Sequence, residues 1–269
     1  MSTPRTVVLT GASAGIGLAA ARRFAQAGDR LILLGRDESR LAAVAAELPG
    51  SVPVRADFAD LGQVRRAAEE VGSACDRIDV LVNNAGGLYR GPRALVVNHL
   101  AGFLLAHELR GHLRAAGTSR LITTASLAEA WGVLDVDDPL RASLAHRARW
   151  LAYGSSKQAN ILFTREAAHR WASDGVLPTA FFPGLVRSRF ASSSPLFTLG
   201  KLIPVLFTTP DRAADTLRWL ADAPAGELVP GGYYFRRELF PATPRSTSRD
   251  RAARLWQSSL EAAGLPSVR

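Results

Sequence analysis

The sequence predicts an α/β fold: a single domain built on a doubly wound parallel sheet with helices on both faces. Three observations predict it. Short β-branched or aliphatic runs alternate with longer segments of helical period, the rhythm of repeated βαβ units. The runs are apolar at nearly every position, as parallel strands covered on both faces should be. A glycine-rich turn, TGASAGIG at 10–17, follows the first run and opens the first helical segment.

Taken in order, the strands are expected at TVVLT (6–10), RLILLG (30–35), SVPVRA (51–56), IDVLVN (78–83), RLITTAS (120–126) and LPTAFFP (177–183). Ala- and Leu-rich stretches between them predict helices at about 17–27, 38–48, 60–73, 95–116, 151–173 and 210–222. A last strand near GGYYF (231–235) and a helix within the C-terminal stretch 248–269 complete the domain. No repeat, low-complexity tract or linker divides residues 1–269.

Composition narrows the class. A chain of 269 residues that is 47% hydrophobic can bury a full core. A single cysteine, Cys75, leaves no disulfide framework. The five histidines form no metal-ligand spacing, so no metal is expected. The net charge of +9 comes from arginines scattered along the chain, which reads as a solvated surface and not as a nucleic-acid face. No apolar run is long enough to cross a bilayer; the nearest, PLFTLGKLIPVLF at 195–207, is short and contains Lys201. With no signal region before TVVLT, a cytoplasmic protein without stable membrane insertion is expected. Of 33 basic residues only Lys157 and Lys201 are lysine. That bias fits a GC-rich bacterial genome, and makes a retained Lys157 a position where an ammonium differs usefully from a guanidinium.

The turn at 10–17 is a candidate anion site. Glycines let the backbone approach a pyrophosphate, while first-turn N–H groups and the helix dipole face it. Gly11, Ser13, Gly15, Ile16 and Gly17 are the candidate contacts. At the end of the second strand, where a carboxylate would accept ribose hydroxyls and an arginine would accommodate a 2′-phosphate, the chain has Arg36 followed by Asp37. This favours NADP(H), with Asp37 read as a helix cap. Tyr153 and Lys157 lie four apart in a helical segment and so share one face.

Five motifs in this order resemble the short-chain dehydrogenase/reductase family across essentially the whole chain. They are Gly11-x-x-x-Gly15-x-Gly17, NNAG from Asn83 to Gly86, Ser126 after the fifth strand, Tyr153-x-x-x-Lys157, and Pro183-Gly184. VNHLAGFLL, KQANILFTRE and PGLVRSRF are similar to the retinol-dehydrogenase-like branch, which acts on carbonyl and alcohol groups of apolar molecules. The resemblance implies a Rossmann-type fold and an oxidoreductase. Asp57 would lie beside the adenine, Asn83, Ala85 and Gly86 would line the cofactor and stabilise the central strand, and Pro183, Gly184, Val186 and Ser188 would border the nicotinamide. Asn98 would hold a water in a proton relay. Ser126 would orient the substrate oxygen, Tyr153 would exchange its proton, and Lys157 would lower the phenol pKa and reach the ribose.

The expected reaction is NADP(H)-dependent reduction of a ketone or aldehyde on an apolar molecule, a secondary-metabolite ketone being one class that fits. Oxidation of a secondary alcohol and a non-catalytic NADP(H) sensor are the alternatives. Residues 187–208, with Phe190, Phe197, Leu202 and Ile203, are expected to form a substrate lid. Trp131 and Trp150 fall in or beside the connection 127–150; an anchor for that loop is the favoured reading and contact with substrate the alternative. Only 11 residues, 87–97, separate NNAG from Asn98, shorter than the family's usual connection. The substrate mouth and the choice between homodimer and homotetramer stay open for that reason.

Overall fold

The computed structural model describes residues 4–141, 148–186 and 207–266. Its centre is an eight-stranded sheet in the order β10-β9-β6-β5-β4-β1-β2-β3. The strands are β1 (Thr6–Thr10), β2 (Arg30–Gly35), β3 (Val52–Arg55), β4 (Val80–Asn83), β5 (Ser119–Thr124), β6 (Val176–Phe181), β9 (Tyr233–Phe235) and β10 (Glu238–Leu239). All pairings are parallel except that of β10 with β9. A separate short pair, β7 (Leu185–Val186) with β8 (Phe207–Thr208), follows the C-terminal end of β6.

The continuous apolar runs are explained by two-sided cover. Val8, Ile32 and Leu81 pack on one side with α3 (Leu61–Ala74) and α5 (Ala101–Glu108). Val7, Leu9, Leu31, Leu33 and Val82 pack on the other with α1 (Gly15–Gln26), α2 (Glu38–Glu47) and α8 (Pro210–Asp222). The sheet order reverses between β1 and β4, where open α/β sheets place their ligands outside the carboxyl ends of the strands.

Two expected helices differ in detail. The segment expected as one helix at 95–116 is four pieces: α4 (Pro92–Leu95), a π-helical turn at Val96–Leu100, α5, and α6 (Arg110–Ala115). The extra residue accommodated by a π turn marks functional positions often enough to be informative, and Asn98 sits in its middle. The helix that carries Tyr153 and Lys157, α7, begins at Arg149, before the expected 151, and ends at Arg170. It is buried along most of its length, so a helix-period amphipathic pattern is absent there. A short helix α9 (Pro244–Thr247) and α10 (Arg249–Ala262) close the chain over α7. The shortened connection 87–97 retains its own helical turn, α4.

Candidate active site

A cleft of about 680 Å³ runs along the carboxyl ends of the strands. One end is formed by Gly11, Ser13, Ala14, Gly15 and Ile16 with Arg36, Asp37, Arg40 and Asp57; the other by Ser126, Tyr153, Lys157, Pro183 and Gly184. Each end has a local cause.

The loop after β1 is built by close backbone approach. Gly11 has φ +70°, and a Cβ there would lie 3.0 Å from the Ala85 Cα. A Cβ on Gly17 would lie 2.1 Å from the Gly11 carbonyl oxygen, so Gly17 serves the packing of α1 on its own loop. It does not line the cleft among the described residues. The α1 N-terminus has Ala14 as its flanking residue, no side-chain cap and no acidic residue in the first turn. Its unsatisfied N–H groups and the positive end of the dipole therefore face the cleft, which suits a pyrophosphate.

At the end of β2, Asp37 caps α2: its side chain accepts from Arg40 N at 3.1 Å and from Ser39 Oγ at 3.0 Å. These bonds hold its carboxyl below the usual range, with the Arg40 and Arg36 charges adding to the effect. Exposed Arg36 stands beside it on the cleft wall. Asp57 accepts from Ala59 N at 3.0 Å, which fixes the turn after β3.

The NNAG segment places its two asparagines on opposite sides. Asn83, expected at the cofactor, turns away: its Nδ2 donates to Gly102 O at 3.0 Å in α5. Asn84 lines the cleft instead. It ties the strand ends together, its main-chain N–H and that of Ala85 both donating to Thr10 Oγ1 at 2.9 Å, and its Nδ2 to Thr10 O at 3.1 Å. Ala85 and Gly86 line the cleft as expected residues. The reason for the swap is that adjacent residues at a strand end point to opposite faces.

Asn98 is buried and stands behind the wall. Its Oδ1 accepts from Gly87 N at 2.8 Å, and its Nδ2 donates to Gly87 O and Ser156 Oγ, both at 2.9 Å. Ser156 in turn donates to Tyr153 O at 2.7 Å. The amide expected to hold a water is thus committed to protein groups, and it joins the 87–97 connection to the α7 turn that carries Tyr153.

At the far end, Ser126 caps the 3₁₀ turn Leu127–Trp131 by accepting from Ala128 N at 3.2 Å, and is also hydrogen-bonded to the Tyr153 side chain. Lys157 Nζ donates to Thr124 O at 2.9 Å and lies 5.4 Å from the Tyr153 ring centroid. Burial pushes the Tyr153 phenol up to about 12, opposed only in part by the Ser126 bond, and pushes the Lys157 ammonium down to about 7. The shift at Tyr153 is opposite to the lowering expected beside a cation, and desolvation by burial is its leading cause, as it is at Lys157.

Trp131 and Trp150 line the cleft, not the interior of a loop anchor. Tyr89 and Val97, from the shortened connection, also line it. Helical spacing carried a signal for Trp150, which precedes Tyr153 by three and Lys157 by seven; Trp131 and Tyr89 had none. Val186 contributes backbone to β7, paired with Thr208 of β8. Ser188 and positions 187–206 of the expected lid lie outside the described residues.

The sequence pattern described as short chain dehydrogenase matches residues 5–134. A protein from Streptomyces sp. (strain C5), designated a daunorubicin C-13 ketoreductase, is 44% identical over 97% of this chain and 93% of its own length. The chain belongs to the short-chain dehydrogenase/reductase family. Human retinol dehydrogenase 13 is 33% identical over 98% of this chain and 87% of its own, which supports the retinol-dehydrogenase-like branch. An uncharacterised protein from Mycobacterium paratuberculosis, known by its crystal structure, has a TM-score of 0.78 and 28% identity over 98% of this chain and 95% of that one. As a member of this family the protein is an oxidoreductase that uses a nicotinamide dinucleotide, NAD(H) or NADP(H). Among the described residues no helix is long and apolar enough to cross a membrane.

Proposed function

We propose that this short-chain dehydrogenase/reductase reduces a ketone or aldehyde on an apolar molecule, using NADPH, with Tyr153 as proton donor. The observation that carries the reading is the cluster of Ser126, Tyr153 and Lys157 at one end of a cleft whose other end is an uncapped helix N-terminus beside Arg36. The Gly11–Ile16 loop would hold the pyrophosphate, Arg36 the 2′-phosphate, Asp57 the adenine side, and Lys157 the nicotinamide ribose. When bound, the reduced nicotinamide supplies hydride to the carbonyl carbon.

The chain's own groups manage the oxygen. Negative charge develops there during reduction, and positioned donors in a water-poor site stabilise it strongly. The two hydroxyls of Ser126 and Tyr153 are already bonded to each other and face the cleft, so a carbonyl oxygen can replace that mutual bond with two of its own. A phenol pushed up to about 12 is protonated at neutral pH and available to donate. That protonated form is the one from which reduction starts, as oxidation of an alcohol starts from the phenolate. The Streptomyces relative's designation as a ketoreductase supports the reductive direction, and a secondary-metabolite ketone remains the class we favour.

Cofactor choice is tested by Arg36→Asp. KM for NADPH should rise at least tenfold with little change for NADH, and an unchanged NADPH preference would remove Arg36 from the 2′-phosphate site. Thermal stabilisation by NADPH with no consumption on any ketone or aldehyde would instead favour the sensor. Residues 187–208 we assign to the substrate lid on their position after Pro183-Gly184 and their apolar content.

A further inference from the structure

The turn that carries Trp131 is pressed onto α7 through two glycines that no phosphate site or tight turn requires. Gly132 has φ −62° and Gly154 lies inside a helix, so neither needs glycine for its backbone angle. A Cβ on Gly154 would lie 2.5 Å from Ala128 O, and one on Gly132 would lie 2.7 Å from the Gly154 carbonyl. Main chain therefore rests on main chain. Hydrogen bonds fix the contact: Val133 N donates to Ser155 Oγ at 3.0 Å, and Gln158 Nε2 donates to Glu129 O at 2.9 Å. Such clamping holds the turn in register with the first turns of α7.

Its consequence is aromatic. Trp131 ends the clamped turn, and Trp150 stands one helical turn before Tyr153, its ring edge-on to the phenol at 5.9 Å and 87°. Both indoles line the cleft and are only partly buried. The tryptophans that do serve as interior anchors are different: Trp171 and Trp256 are 1% and 5% exposed and pack together. Two indoles held in place beside the proton donor lose little freedom when a flat ring lies against them, and aromatic faces favour such a guest through offset or edge contacts.

We propose that Trp131 and Trp150 form a preset aromatic wall that selects planar, conjugated ring ketones or aldehydes over flexible aliphatic ones. The proposal rests on the carbonyl-reductase reading of the same site. The test measures kcat/KM with NADPH for 2-acetylnaphthalene and for 2-octanone in wild type, Trp131→Ala, Trp150→Ala, the double alanine variant and the double phenylalanine variant. Wild type should prefer the naphthyl ketone. The ratio of the two kcat/KM values should fall at least tenfold in the double alanine variant and be largely kept in the phenylalanine variant. A ratio within twofold of wild type, with both substrates losing equally, would overturn the wall and leave the indoles a purely structural part.

If wild type turns over neither ketone, the reductase reading fails separately from the wall. Calorimetric binding of 2-acetylnaphthalene to the NADPH-saturated protein then decides: tenfold weaker binding in the double alanine variant supports the wall, and no binding to wild type overturns it.

Discussion

Glu129 offers the sharpest stability test, because a buried carboxylate here has no cation within salt-bridge distance among the described residues. It is 3% exposed. Its carboxylate accepts from Thr243 N at 3.0 Å, from Thr243 Oγ1 at 2.7 Å, and from Ser246 Oγ. These bonds dock the start of α9 on the turn that follows Ser126. Glu129→Ala would not orphan all three donors equally. The two hydroxyls already lie 3.3 Å apart and can pair with each other, which leaves the Thr243 N–H as the group without a substitute. One unmet buried donor costs about 1–3 kcal/mol. The missing side chain adds a small cavity of roughly 1–2 kcal/mol, while release of a desolvated charge offsets part of the sum. The expected loss is about 2–4 kcal/mol by equilibrium urea unfolding at pH 7.5, with the slope unchanged. Glu129→Gln keeps one acceptor and should lose less. A loss under about 0.5 kcal/mol for Glu129→Ala, with m unchanged, would refute the claim that this carboxylate holds α9 in place.

Other outcomes follow from the same structure. Tyr153→Phe should lower kcat for carbonyl reduction by about 10²-fold or more, the usual scale for losing a positioned proton donor, and undiminished turnover would remove Tyr153 from that role. Lys157→Arg should also be strongly impaired, since Lys157 is 3% exposed and its amine donates to Thr124 O at 2.9 Å, a point contact that a larger planar guanidinium does not reproduce in the same geometry; full activity would show the ammonium to be dispensable. Gly154→Ala should cost about 1–3 kcal/mol by thermal or urea unfolding, since a Cβ 2.5 Å from Ala128 O forces main chain to move. His99 and His107 are each lowered by burial to about 4. The unfolded chain binds their protons first, so their contribution is complete above about pH 6.5 and is lost as pH falls toward 4. By pH 5 each should have lost about 2 kcal/mol, and His99→Gln should flatten the pH dependence of the urea midpoint between pH 7.5 and 5.

Much of the fold was legible because its signals are local. The Gly11–Gly17 loop, the Asp37 cap and the continuous apolar strands each depend on a few neighbouring residues, and element order followed from their alternation. Arg36 was singled out the same way, as the residue just beyond the second strand, whereas Asp57 was named through the family resemblance; both line the cleft. Asn83 was misplaced for a related reason: a strand buried on both faces carries no polar alternation, so nothing in NNAG says which asparagine faces the cleft. The antiparallel β10 is only two residues long and was invisible beside the turn residues around it. The continuous helix expected at 95–116 was interrupted at Asn98, whose amide reaches Gly87 and Ser156, contacts no local pattern predicts.

The sequence by itself determined the family, the glycine loop after β1 and the spacing of Tyr153 and Lys157, since helical periodicity and glycine geometry act over a few residues. Tertiary structure decided the rest of the site. Only packing brings Ser126 to Tyr153, seats Gly132 on Gly154, turns Trp131 and Trp150 toward the cleft, and buries Tyr153 and Lys157 so that desolvation shifts both. Those outcomes depend on desolvation and on contacts between residues far apart in the chain, and neither is written in local order.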